Sequence, residues 1–239
     1  MNISKSKIKT LESCPLCFKW QYLDHKKPDI PPAAVTQTGT NVHEIFNNFY
    51  DHIKLEEIPE ESLEYFKNCM TILPQYKGIF DLFCEFQARR WKYTTNKDEF
   101  MPLLKEKKFV NNDEVGVVDV VHVTNGDYVV MDYKSSASNP TNLRFELNYY
   151  AKIVNDSNIL DKPIKYIAVY GYKDGGIFYE EVNIRSFNIM LKRVDAFGHN
   201  DWENMQYPKK IGYACNWCSY ILSCNKLELQ ILTELPKEE

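Results

Sequence analysis

Residues 115–134, VGVVDVVHVTNGDYVVMDYK, constrain the fold more than any other stretch of this chain. Asn125-Gly126 separates two apolar runs, and a two-residue Asn-Gly loop favours a type I′ turn, in which both positions take positive φ. An antiparallel hairpin pairing 115–123 with 127–134 is therefore predicted. Each strand carries an acid where a core residue is expected: Asp119 among valines, and Asp132 at the end of VVM. Burying a carboxylate without a cation or donors costs several kcal/mol. Two of them on adjacent strands repel unless a cation lies between, and rigid oxygen ligands suit Mg²⁺ or Mn²⁺. Alternation puts Asp132 and Lys134 on one face. Tyr133, between them, offers its backbone carbonyl as a further ligand. Lys134 is then placed to neutralise developing charge, or to orient and deprotonate a water. An isolated Asp-x-Lys reads as a surface ion pair at a strand end. Asp119 on the paired strand moves the reading to a metal site. Glu106, in LLKEKKF, reads as a solvated residue of a charged run, with an added carboxylate ligand as the alternative.

The remaining sequence bounds the setting. The chain has 239 residues, 44% hydrophobic and 26% charged, which suits one substantial soluble domain. No apolar run approaches the ~20 residues that span a bilayer, and MNISKSKIKTLESC has no apolar signal region. The expectation is an intracellular, cytoplasmic protein with no membrane partner. The net charge of −4 gives no bulk attraction to nucleic acid, so any such site is a local patch. Lys5, Lys7 and Lys9, or Arg89, Arg90 and Lys92, are candidates for one, against a solvated face as the simpler reading. There is no Gly-x4-Gly-Lys-Ser/Thr, hence no phosphate-binding loop of a helicase.

Helical spacing is predicted for 4–24, broken at Pro15, and from Asn41 to about Lys54, with further helices over 60–72 and 76–95. A Pro-rich connector occupies 28–34. From Pro102 the pattern turns to strands: 103–110, the hairpin, and a second pair, 165–172 and 177–184, around Lys173-Asp174-Gly175-Gly176. Helices are predicted over 141–156 and 186–199. The order predicts an α/β (α+β) fold, a mixed central sheet flanked by helices. One domain is expected over 1–239: a helical part to 102, a sheet core over 103–183, and a C-terminal helix with a cysteine-rich tail over 184–239.

Cys215-x-x-Cys218-x5-Cys224 is a metal-ligand spacing in an intracellular chain. The fourth ligand comes from Cys14 or Cys17, and zinc and a [4Fe–4S] cluster both accept four thiolates. Cys69 and Cys84 read as buried thiols. His43, in TGTNVHEIF, reads by itself as a satisfied histidine in the second turn of a helix. Glu146 and Tyr150, one helical turn apart, share a face; Tyr150 is either a core ring or a contact for a DNA phosphate or base.

An acid on one strand, a hairpin and an acid-x-Lys strand together resemble the PD-(D/E)XK nuclease superfamily, whose fold is restriction-endonuclease-like. Gly39-x-x-x-His43 ahead of the acids resembles its RecB-like branch, which implies His43 as a metal ligand beside Asp119 and Asp132. Glu146-x-x-x-Tyr150 follows that branch's Gln-x-x-x-Tyr except for Glu in place of Gln. An ionised glutamate cannot donate to a phosphate. Cys14-Pro15 with the three C-terminal cysteines resembles the iron–sulfur members, the CRISPR-associated Cas-four type exonucleases and the AddB-type nuclease domains. The resemblance implies a [4Fe–4S] cluster on Cys14, Cys215, Cys218 and Cys224, joining the two ends of the chain. It further implies Mg²⁺- or Mn²⁺-dependent hydrolysis of single-stranded DNA ends, in CRISPR adaptation beside an integrase, in recombination and repair, or in viral DNA processing. A catalytically silent DNA-binding scaffold of the same fold is the alternative.

Overall fold

The computed structural model describes residues 1–30, 34–138 and 140–226. Five strands form one sheet in the order β1 (Leu104–Asn111), β2 (Glu114–Thr124), β3 (Asp127–Lys134), β4 (Ile164–Gly171) and β5 (Gly176–Glu181). Asn125 (φ 52°) and Gly126 (φ 78°) make the expected tight turn, closed by Thr124 opposite Asp127. All neighbouring strands are antiparallel except β3 and β4. A parallel pair needs a crossover, and helix α6 (Pro140–Asp156) supplies it. The result is a mixed five-stranded sheet with flanking helices, consistent with a restriction-endonuclease-like fold.

Two apolar cores cover the sheet's faces. The helices α3 (Ala34–Phe49) and α5 (Lys77–Tyr93) bring Phe46, Phe49 and Phe83 against Val129, Met131 and Tyr133 of β3. The other face packs Val121, Val130 and Val169 beneath α6 and the helices α1 (Lys5–Ser13) and α7 (Ile184–Gly198), through Ile8, Leu147, Ile153 and Met190. Along β3 the alternate side chains thus go to different cores, as a strand buried on both faces requires.

The N-terminal segment is pinned to the sheet. Ile3 N–H donates to Asp113 O (2.6 Å), Val115 N–H to Ile3 O (2.8 Å), and Tyr149 Oη also donates to Ile3 O. Ser4 then caps α1 by accepting from Lys7 N–H at 3.3 Å. Cys14 ends α1 in an extended conformation (φ −157°, ψ 105°), the region to which a following proline confines a residue. Pro15 starts the short helix α2 (Pro15–Phe18), whose own lost N–H is a free helix-start position.

Three boundaries differ from the sequence expectation. Helix α3 begins at Ala34, so His43 lies in its third turn rather than its second. The 60–72 helix shrinks to α4 (Leu63–Asn68), since Leu73 is extended (ψ 140°) ahead of Pro74. The 177–184 strand stops at Glu181, where Asn183 accepts two backbone N–H groups and opens α7. Residues 31–33 of the Pro-rich connector and the tail beyond 226 lie outside the described residues. Among the described residues no helix is long and apolar enough to cross a membrane.

Candidate active site

Asp119 and Asp132 lie beside each other at one end of the β2–β3 hairpin. The ladder runs to Val120 opposite Met131. Beyond it, Tyr133 N–H donates to Asp119 Oδ2 at 2.8 Å, so the side chain is tied directly to β3. His43 reaches the same place from α3. Its Nε2 lies 2.8 Å from Tyr133 O and must donate there, which turns Nδ1 toward Asp119 Oδ2 at 3.4 Å and Glu106 Oε1 at 3.8 Å. His43 and the Tyr133 carbonyl, both candidate ligands, are therefore bonded to each other. The imidazole offers Nδ1, its other nitrogen held in the way metal-bound histidines commonly are.

Glu106, read from the sequence as a solvated residue with a ligand role as the alternative, combines both features. It is exposed, yet its oxygen, His43 Nδ1 or Nε2 and an Asp119 oxygen form a group within 4.8 Å of one another. It sits in β1 at φ 43°, a left-handed conformation unusual for a glutamate, between the pairs Lys105–Val120 and Lys107–Val118. Strained backbone of this kind concentrates at functional sites. Side-chain alternation along a run of charged residues carries no signal of such a twist, so LLKEKKF offered the ligand role only as the alternative.

Lys134 Nζ lies 2.6 Å from Asp132 Oδ2 and 3.2 Å from Glu146 Oε2. That Asp132 oxygen is buried and makes no hydrogen bond of good geometry, which leaves acceptor capacity unfilled in the interior. Glu146, on α6, accepts from Lys5 Nζ at 2.8 Å and from Lys9 Nζ, both on α1. Tyr150 is buried, with Lys5 Nζ 4.3 Å from its ring centre. The α1 lysines were legible only as a basic patch, since their partner lies about 140 positions away.

The electrostatics follow from burial and these contacts. Burial pushes the Asp132 carboxyl up to about 6, helped by Asp119 and opposed by Lys5 and Lys134. Burial also pushes Asp119 up, but His43 and the Tyr133 N–H outweigh it and hold the carboxyl below its usual range. The two acids thus divide, one firmly ionised and one holding a proton more readily, as closely placed carboxylates do. For Glu146, Lys5 and Lys134 overcome burial and hold it far below the usual range. Burial lowers Lys134, but Asp132 and Glu146 together outweigh it, so its ammonium stays charged.

This donor set fits Mg²⁺ or Mn²⁺: carboxylate oxygens, one correctly turned imidazole nitrogen, and a buried oxygen short of partners. A surface cavity of about 460 Å³ lined by Gly39, Thr40, His43, Glu44, Asn47 and Glu106 opens onto it.

Five of the cysteines gather at a second place. Cys14, Cys17, Cys215, Cys218 and Cys224 all line one cavity of about 370 Å³. Protein contacts bring the two ends together there: Leu16 N–H to Pro208 O, Asp29 N–H to Ser219 O, and Tyr220 Oη to Lys26 O. Burial, then the neighbouring Cys218, pushes the Cys17 thiol up to about 12. Five thiols lining one cavity suit a thiolate-bound metal group by their donor chemistry. Cys84 is buried and Cys69 partly buried in the α4–α5 region, away from this cavity. Arg90 turns inward, donating to Gln87 Oε1 and Phe100 O instead of lining a channel.

Residues 2–225 match the family model of the PD-(D/E)XK nuclease superfamily. No curated protein matches the chain.

Proposed function

Since the chain belongs to the PD-(D/E)XK nuclease superfamily, whose members are metal-dependent nucleases, we propose that it is a deoxyribonuclease that shortens single-stranded DNA from its ends. The observation that carries this reading is the convergence of His43, Glu106 and Asp119 into one ligand-sized group, with Asp132 and Lys134 adjoining. Asp119, Asp132 and His43 hold one or two Mg²⁺ or Mn²⁺ ions, and Glu106 completes the set. A bound ion supplies Lewis acidity toward phosphoryl oxygen and acidifies water.

The protein's own groups do the rest. The Tyr133 N–H and carbonyl fix Asp119 and His43, so neither turns away when the ion leaves. Lys134, held charged by Asp132, stabilises the negative charge that develops on the phosphoryl oxygens and orients the attacking water. Its raised pKa favours this electrostatic role over that of a neutral base.

Cys14, Cys215, Cys218 and Cys224 hold a [4Fe–4S] cluster that fastens α1 and α2 to the C-terminal segment. Cys17 lines the same cavity. The whole chain works as one nuclease domain inside the cell. Its setting is CRISPR adaptation beside an integrase, recombination and repair, or viral DNA processing.

The test uses holoprotein purified without oxygen, assayed on end-labelled single strands with Mn²⁺ or Mg²⁺. The expected result is progressive shortening that chelator stops and Asp132→Ala abolishes, from a brown preparation carrying about four irons per chain. Holoprotein that cuts nothing with either ion would instead favour a DNA-binding scaffold, a reading to which Glu146 in place of Gln lends its only support.

A further inference from the structure

Three ammonium groups meet at one carboxylate beside the acids. Lys5, Lys9 and Lys134 all contact Glu146, while Lys134 also contacts Asp132. Asp119 also acts on Lys5, so the three cations are answered by carboxylates of the protein itself, and of the three lysines Lys9 keeps the most exposed side chain. Burying such charge is costly unless an anion answers it.

The lysines are also fixed in place. Lys5 and Lys9 are one helical turn apart on α1, so they share a face. The helix is set on the sheet by the backbone bonds of Ile3 and capped by Ser4. Lys5 is nearly enclosed, its side chain 18% exposed and its ammonium over the Tyr150 ring. Lys9 remains 42% exposed, open to a ligand arriving from solvent.

We infer that Lys5 and Lys9 form a seat for a DNA phosphate next to the one being cut, with Glu146 as the internal anion that holds the seat in shape until DNA arrives. This inference rests on the nuclease reading and adds a substrate-binding element to it. It also accounts for glutamate at position 146. A neutral amide there would leave two buried-side lysines repelling each other, whereas a carboxylate keeps them charged and aimed. An arriving phosphodiester takes up the hydrogen bonds of Lys9 first, since that side chain is the more exposed.

The experiment measures binding of a labelled single-stranded oligonucleotide to the full chain, with divalent ions withheld, between 50 and 200 mM KCl. Each phosphate contact contributes about 0.7 to the slope of log affinity against log salt for single strands. Lys5→Gln/Lys9→Gln, which removes one phosphate seat, is expected to flatten that slope by about 0.7, and Lys5→Arg/Lys9→Arg to keep it. Lys165→Gln, whose partner Asp127 lies at the far end of the sheet, leaves it unchanged. Glu146→Gln releases the lysines and is expected to tighten binding. Adding Lys5→Gln/Lys9→Gln to Glu146→Gln abolishes that gain. Should the triple variant bind as tightly as Glu146→Gln alone, the lysines serve only to neutralise Glu146 and the seat is overturned. An unchanged slope in the double variant, or wild-type protein without salt-dependent binding, overturns it as well. Lys9→Gln alone, an exposed change, reports if the double variant does not fold. A protein that shows these slopes yet cuts nothing with Mn²⁺ would sink the nuclease reading and leave the seat standing; the reverse pattern would sink the seat alone.

Discussion

Asp132 is 1% exposed, next to a second carboxylate, and its pKa rises to about 6 in the metal-free protein. An unfolded aspartate titrates near 3.9. Between those values the native chain binds more protons than the unfolded chain, so this residue's contribution to stability falls as pH rises from about 4 to about 6. Above that it is a fixed penalty on the order of 2–3 kcal/mol, which a bound cation removes. Asp132→Asn is therefore expected to raise the unfolding free energy in chelator at pH 7.5 by about that amount, with the gain vanishing near pH 4. Denaturant titrations of both proteins at the two pH values check it. An asparagine variant no more stable than wild type at pH 7.5 would show that burial carries no such penalty. Asp119 and Asp132 could be read from the sequence because an acid inside an apolar strand is conspicuous. Glu106 was legible only as an alternative, because it lies in a charged run and reaches the site through an unusual backbone angle.

The elements around the site hold it by aromatic packing. Phe46 is one turn past His43 on α3, fully buried, stacked on Phe83 with ring centres 3.9 Å apart and edge-on to Tyr133 at 5.0 Å. The ring of Tyr133 is thereby fixed between α3 and β3, edge-on to His43 at 5.8 Å, while its peptide groups bond Asp119 and His43. Phe46→Ala is expected to cost about 3–5 kcal/mol of stability. It should also weaken Mn²⁺ binding at temperatures where the variant is fully folded, because the Tyr133 peptide loses its support. Phe46→Leu, closer in volume, should restore most of both. Calorimetric unfolding and Mn²⁺ titration of the two variants separate these effects, and a folded alanine variant with unaltered Mn²⁺ affinity would contradict the link. The hairpin was legible here because Asn125-Gly126 is a local signal. The start of α3 was not, since Thr38-Gly39-Thr40 disfavours a helix locally and tertiary packing overrides it.

Across the whole molecule, two centres flank the N-terminal helices. The sheet's acids and His43 lie at one end of α1's reach, through Lys5 and Lys9 to Glu146, and the cysteine cavity lies where α1 gives way to α2. The grouping of the C-terminal cysteines was legible, because a Cys-x-x-Cys pair is a local pattern. The ion pairs joining α1 to α6 are a matter of chain topology and left no mark in the sequence. At the acid cluster, Asp119 and Asp132 are expected to share a divalent ion. The most direct measurement is anomalous diffraction from crystals of the holoprotein soaked in Mn²⁺. A manganese peak about 2.1 Å from carboxylate oxygens of both Asp119 and Asp132, with His43 Nδ1 at a similar distance, is the predicted result. Saturated crystals whose manganese lies elsewhere, with Asp132 still paired only to Lys134, would contradict it.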